Sequence, residues 1–293
     1  MKIGIGLPTF LGNLVPARTI LDWARAGDDA GFHALAVHDK PNHDTWEPLA
    51  TLAMVGPITH RIRLATTALL LPTRDEALVA KQAAMVAQVS DGRLDLGVAV
   101  GGRPDDFELF GRDFRTRGRT FERQLERLIA LWAAARATRD SGTAMGPVSC
   151  RDPHPRLFVG GYAPAAIQRA ARWGDGFVFG APGAELMATR IPAIRAAAAS
   201  AGKTEFPIQG LVYVLPSEDP VVLAEGERLL LRYYGTLRKP FLDLVAHGSG
   251  ESIMATVRAH EAAGLDVLHL LPVTADIGAV DRLADQVLLH YLD

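Results

Sequence analysis

Hydrophobic and polar positions follow two rhythms along this chain. Short runs rich in Val, Ile and Leu alternate with Ala-rich stretches in which apolar residues return every three or four positions. The first rhythm is that of buried strands, the second that of helices packed by one face. Eight strands are predicted, near 2–7, 33–37, 61–67, 93–99, 156–160, 176–180, 207–214 and 266–272. Helices are predicted over 17–30, 48–55, 76–89, 120–135, 164–173, 184–201, 221–233, 253–263 and 279–291. In the first of these, Ile20, Leu21, Ala24 and Ala30 make one stripe and Gly31 supplies the stop.

Strand followed by helix, eight times over, predicts an α/β fold: a (β/α)8 TIM barrel, with residues 1–293 as one domain. A doubly wound open sheet is the alternative. Against it, the first strand is not followed by the G-x-G-x-x-G fingerprint, because Gly4 and Gly6 lie within the strand and Pro8-Thr9-Phe10 comes next. Two segments exceed what barrel closure needs: 103–119 after strand four and 234–250 after strand seven. Both are expected above the C-terminal ends of the strands, where barrel loops build active sites.

Composition narrows the classes. A hydrophobic fraction of 48% is enough for a large core, and 31 basic against 33 acidic residues, scattered along the chain, leave no nucleic-acid footprint. Cys150 is the single cysteine, which excludes an internal disulfide and a multi-thiolate metal site and fits a reducing, cytoplasmic compartment. Met1-Lys2 runs directly into a strand, without the apolar core of a signal peptide. The apolar stretch 128–135, followed by Arg136 and Arg139, is too short to span a membrane.

The chemistry concentrates at strand ends. After strand five, Gly160-Gly161-Tyr162-Ala163-Pro164 turns from a strand straight into a helix. Free amides and the helix dipole make such a turn an anion site, and proline suits the first helical turn. A plain glycine turn is the alternative. Strand two ends in His38-Asp39-Lys40, where Asp39 and Lys40 are catalytic candidates and a lysine acts as proton donor or anion anchor. Phe10, His43 and Trp46 are candidate walls of a substrate pocket, or ordinary packing. His38, Asp39, His43 and Asp44 form a rival set of metal ligands, at a spacing that matches no established motif.

Six strings stand in a fixed order: Ala30-Gly31-Phe32; R-I-R-L-x-T from Arg61 to Pro72; S-D-G-R-L-x-L-G-V at Ser90 to Val98; Arg117-Gly118-Arg119 with Leu131-Trp132; Phe158 to Pro164; and Arg172-Trp173-Gly174-Asp175-Gly176-Phe177. In this the chain resembles the bacterial-luciferase-like monooxygenases and the related F420-dependent (deazaflavin) oxidoreductases. The resemblance is close over residues 1–182 and loose beyond.

The resemblance implies a cofactor, coenzyme F420 or FMN, with its phosphate at Gly160, Gly161, Tyr162 and Ala163, near Gly180. It implies a bulge at Thr67, Ala68 and Leu69, with a non-prolyl cis peptide at Ala68-Leu69, behind the ring. It implies that Gly101 and Gly102 leave space beside the ring, and that Lys40 stands where the family usually has histidine. It further implies a homodimer, paired through barrel-side helices.

The function expected is hydride transfer to or from a small organic substrate, with F420 preferred. An FMN-dependent monooxygenase using O2 is the alternative; a non-catalytic flavin-binding relative and a metal-dependent hydrolase using His38 and His43 are further ones. The sequence points to no nucleic-acid and no membrane partner.

Overall fold

In a computed structural model, the structure describes residues 1–138, 145–150, 154–237 and 240–291. Ten parallel strands lie in one sheet: β1 (Lys2–Gly6), β2 (Ala34–Val37), β3 (Arg63–Thr66), β4 (Leu69–Leu70), β5 (Leu94–Ala99), β6 (Arg156–Gly160), β7 (Gly176–Val178), β8 (Ile208–Leu215), β9 (Val245–His247) and β10 (Val267–Pro272). The order β10-β1-β2-β3-β5-β6-β7-β8 closes on itself through β10 and β8, which makes an eight-stranded barrel, the TIM-barrel arrangement.

Helices α1 (Ala17–Ala30), α2 (Pro48–Val55), α3 (Glu76–Val89), α5 (Arg117–Ala137), α6 (Pro164–Trp173), α7 (Ala184–Ser200), α8 (Pro220–Tyr234), α10 (Gly250–Ala262) and α11 (Gly278–Gln286) follow the barrel strands. α1 packs as its pattern requires: Ile20 and Ala24 are buried, and Gly31 ends the helix in the left-handed region at φ 91°.

Two departures from the sequence reading have local causes. The third strand, expected to run unbroken to 67, stops at Thr66 and resumes as β4. β7 ends at Val178 and pairs only with the lower part of β8, so the upper edge of β8 is taken by β9, with Tyr213 opposite Val245. Part of the second long segment is thus strand, preceded by α9 (Phe241–Leu244). Residues 238–239 of that segment, and Arg139 near the apolar stretch, lie outside the described residues. The first long segment carries α4 (Pro104–Glu108) and a 3-10 turn at Phe114–Thr116.

The N-terminal end of the barrel is welded by charge. Arg63 and Arg156 both grip the carboxylate of Asp95, with Nε–O distances of 2.9 and 2.7 Å. Burial pushes the Asp95 carboxyl up, but the two guanidinium groups hold it below its ordinary value. Among the described residues, no helix is long and apolar enough to cross a membrane.

Candidate active site

A cavity of about 1170 Å³ opens at the N-terminal end, among Lys2, His33, Arg156 and Gln209. Its charges are largely spent on one another: Arg156 on Asp95, Arg195 on Asp266, Glu261 on the N-terminus. In barrels of this kind that end serves stability, and chemistry gathers at the opposite, C-terminal end.

At the C-terminal end, strand order fixes the layout. The turn after β6, the glycines after β5, the bulge between β3 and β4, and the tail of β2 are carried by successive barrel strands. They therefore line one continuous arc of the mouth.

At one end of the arc, Gly160 is buried in β6 while Gly161, Tyr162 and Ala163 reach the surface. Gly161 has φ 148°, and a Cβ there would stand 2.9 Å from Ala166 Cβ, so glycine is required. The amides of Gly161 and Ala163 donate no turn or loop hydrogen bond among the described residues. Tyr162, 56% exposed, lays its hydroxyl against Gly180, where a Cβ would meet it at 2.3 Å. A narrow cavity runs beneath, lined by Gly161, Ala163, Phe179, Leu186 and Arg190. Arg190 has neither a hydrogen bond nor an ion pair among the described residues. Open amides, glycines in close approach and an uncommitted guanidinium fit the phosphate of a flavin or deazaflavin.

Along the arc, Gly101 adopts φ 83° and abuts Phe107, whereas a Cβ on Gly102 would meet nothing within 4 Å. The non-prolyl cis peptide is at Thr67–Ala68, which corrects the expected Ala68–Leu69. The pairing explains the position: the Thr67 amide still donates to Val37 O at 2.9 Å, and Leu69 is already registered with Val98, so the break in pairing falls on Ala68.

At the far end, the tail of β2 separates three side chains by role. Asp39 turns to the barrel wall: Arg74 donates to it from Nη1 (2.6 Å) and Nη2 (3.0 Å), and the Leu70 amide donates at 2.7 Å. Burial pushes its carboxyl up, and Arg74 and the amide act against that. It is a clamp between β2 and β4. Lys40, 6% exposed, donates from Nζ to Tyr233 O, and its ammonium lies 4.7 Å from the Tyr233 ring. Burial lowers the Lys40 ammonium below its ordinary value. His38 stacks on Tyr213 (5.9 Å, 12°), and burial lowers it to about 4, so it is neutral at physiological pH.

Tyr233, at the end of α8, is the hub: Phe10 and His43 meet its ring edge to face at 5.7 and 5.5 Å. The structure thus brings Phe10, His43 and Lys40 together. Trp46 serves another end, since its Nε1 donates to Gly12 O at 3.3 Å and ties down the loop after β1. Asp44 is engaged by the Asn13 amide and Arg232, away from Asp39. Among the described residues, no group of three or more His, Cys, Asp or Glu comes together to hold a metal.

The sequence reading missed Tyr233, Tyr213, Arg190 and Asp106. The Tyr233-Tyr234 pair at the end of an amphipathic helix entering a long segment was a usable signal. For Arg190, one arginine on a helix among many, there was none.

A family model for luciferase-like monooxygenase matches residues 1–260. The chain belongs to the luciferase-like monooxygenase family. An uncharacterized protein of Mycobacterium tuberculosis is 34% identical over 167 residues, 54% of this chain and 56% of that protein, so the match spans only about half of the relative. The F420-dependent glucose-6-phosphate dehydrogenase of Kribbella flavida is 26% identical over 247 residues, 78% of this chain and 73% of that one. The monooxygenase RslO1 from Streptomyces bottropensis superposes with a TM-score of 0.82 at 22% identity, over 100% of both chains, and so shares the fold.

Proposed function

We propose that this luciferase-like chain is an F420-dependent oxidoreductase, transferring hydride to or from a small organic substrate. The observation that carries the reading is the arc: an open glycine turn on β6, space at Gly102 on β5, and a lysine–tyrosine cluster at β2, in consecutive order. Such an arc suits a long molecule with an anionic tail and a flat reactive head. The match over 247 residues to an F420-dependent glucose-6-phosphate dehydrogenase supports the choice of cofactor.

In this reading the amides of Gly161 and Ala163, with Arg190, hold the cofactor phosphate beside Tyr162 and Gly180. Thr67, Ala68 and Leu69 back the ring and Gly101 and Gly102 flank it. When bound, the cofactor supplies the hydride chemistry. Phe10, His43 and Tyr233 wall the substrate side and exclude water. Lys40 places a positive charge against the substrate's developing negative charge. Asp39 keeps the bulge in register without touching substrate.

The family's description as luciferase-like monooxygenases favours a second reading, in which FMN and O2 serve the same arc. Titration with reduced F420 and reduced FMN, followed by fluorescence quenching, separates the two: tight FMN binding with no response to F420 overturns the first. Candidate substrates that all leave bound reduced cofactor unoxidised in stopped-flow runs would make the chain a non-catalytic flavin-binding relative. A cytoplasmic homodimer completes the proposal, and a monomer in sedimentation at low micromolar concentration would refute the pairing.

A further inference from the structure

The segment after β5 lays α4 across the barrel mouth, and the third residue of that helix is an acid turned inward. Asp106 is 2% exposed, and its Oδ1 has no hydrogen-bond partner among the described residues. A buried polar atom left bare is costly, so it calls for a partner that arrives from elsewhere.

The helix cannot readily swing this acid into water. Asn42 Nδ2 donates to Asp105 Oδ2 at 2.6 Å, and Phe107 packs on Phe114 at 5.2 Å and against Gly101. The charged and titratable groups that face Asp106 come from three elements: Asp105 and Arg103 from its own segment, Lys40 and Asp39 from the tail of β2, and Tyr233 from α8. Lys40 commits its ammonium to the Tyr233 carbonyl and ring, and among the described residues it forms no ion pair with Asp106. An acid and an ammonium thus share the mouth without forming an ion pair among the described residues.

We propose that Asp106 is the proton donor of this enzyme, acting from α4 across the mouth from Lys40. The proposal rests on the F420 reading above. For a carbonyl substrate, a hydride from the reduced deazaflavin forms the new C–H bond while the C=O π pair moves to oxygen; for a quinone, the hydride adds to one oxygen while the displaced π electrons pass through the conjugated ring to the other oxygen. The Asp106 O–H bond breaks and its proton completes the product hydroxyl. The carboxylate left behind faces the Lys40 ammonium and the Asn42 backbone amide, and it recovers a proton from water after the product leaves. In the oxidative direction the same carboxylate takes the proton. Burial, then Asp105, holds the Asp106 carboxyl above its ordinary range, which favours the protonated form this role requires.

The test compares wild type, Asp106→Asn, Asp106→Glu and, as a control, Glu108→Gln on the exposed face of α4. Infrared difference spectra on adding reduced F420 should show a protonated-carboxyl C=O band that shifts in D2O. The band should be absent from Asp106→Asn, displaced in Asp106→Glu and intact in the control. Affinity for F420, from fluorescence quenching, should stay within about twofold in all four. With menadione as the acceptor, Asp106→Asn should turn over about 100-fold more slowly and lose the alkaline fall in rate, with Asp106→Glu partly restoring both. A band that survives in Asp106→Asn, no protonated-carboxyl band at neutral pH, or an unchanged pH profile in the asparagine variant overturns the proposal. If wild type binds no F420 in the fluorescence titration, the cofactor reading fails and proton delivery to that chemistry fails with it. If Asp106→Asn does not fold, the band position and pH profile of Asp106→Glu decide.

Discussion

Asp39 and Arg74 meet in a bidentate ion pair of 2.6 and 3.0 Å, with side chains only 2% and 14% exposed. Because Asp39 also accepts from the Leu70 amide, one carboxylate joins the tail of β2 to β4 beyond the cis peptide. Removing one partner leaves the other charged and buried, which costs about 3–5 kcal/mol. Asp39→Ala should therefore lower the unfolding free energy in urea by about that amount, and Arg74→Met similarly. Independent, additive losses in the double variant would show that the pair is not coupled.

Gly102 gives a way to separate folding from binding. A Cβ there meets nothing within 4 Å and the position is exposed, so Gly102→Val should leave the thermal midpoint nearly unchanged. If the ring occupies that space, F420 affinity should fall at least about tenfold, equivalent to about 1.4 kcal/mol. Unchanged affinity would place the ring elsewhere.

Arg190 should act on the other end of the cofactor. Charge-assisted bonds are worth about 1.5–3 kcal/mol each, so Arg190→Ala should weaken binding by about 10- to 100-fold and flatten its salt dependence. Arg190→Lys should recover part of the loss. Fluorescence titrations at two ionic strengths check both, and equal affinity for all three proteins would remove Arg190 from the site.

Acid should destabilise the barrel through its buried histidines. Burial lowers His38 to about 4 and His269 to about 3, against 6.5 for the free side chain. Between pH 6.5 and 4 the unfolded chain binds a proton at position 38 that the folded chain refuses, so stability rises with pH across that window and is lost as pH falls through it. For His38 the effect is about 3 kcal/mol in total. His38→Phe, which keeps the stack on Tyr213, should shrink the acid loss by about that much with little change at neutral pH. An identical slope in urea titrations at stepped pH would show that His38 does not carry it.

What the sequence determined by itself was whatever depends on neighbours along the chain. The periods of its apolar residues fixed eight strands and their helices, and Gly31 and Pro164 marked turns whose φ and missing amide are local requirements. The glycine turn at Gly160 was legible for the same reason, as was its place at a strand end. What only the tertiary structure decided was which side chains meet. Asp39 and Lys40 are adjacent in sequence, yet one clamps Arg74 and the other lies under Tyr233, because each finds its partner 35 or 193 residues away. Asp106 read as one charge in a polar loop until α4 folded over the mouth and cut it off from water. β9 stayed hidden because its pairing was created by the early end of β7, an accident of a strand about seventy residues upstream. Periodicity records burial along one element; partners, desolvation and charge balance arise only when barrel closure brings distant ends together.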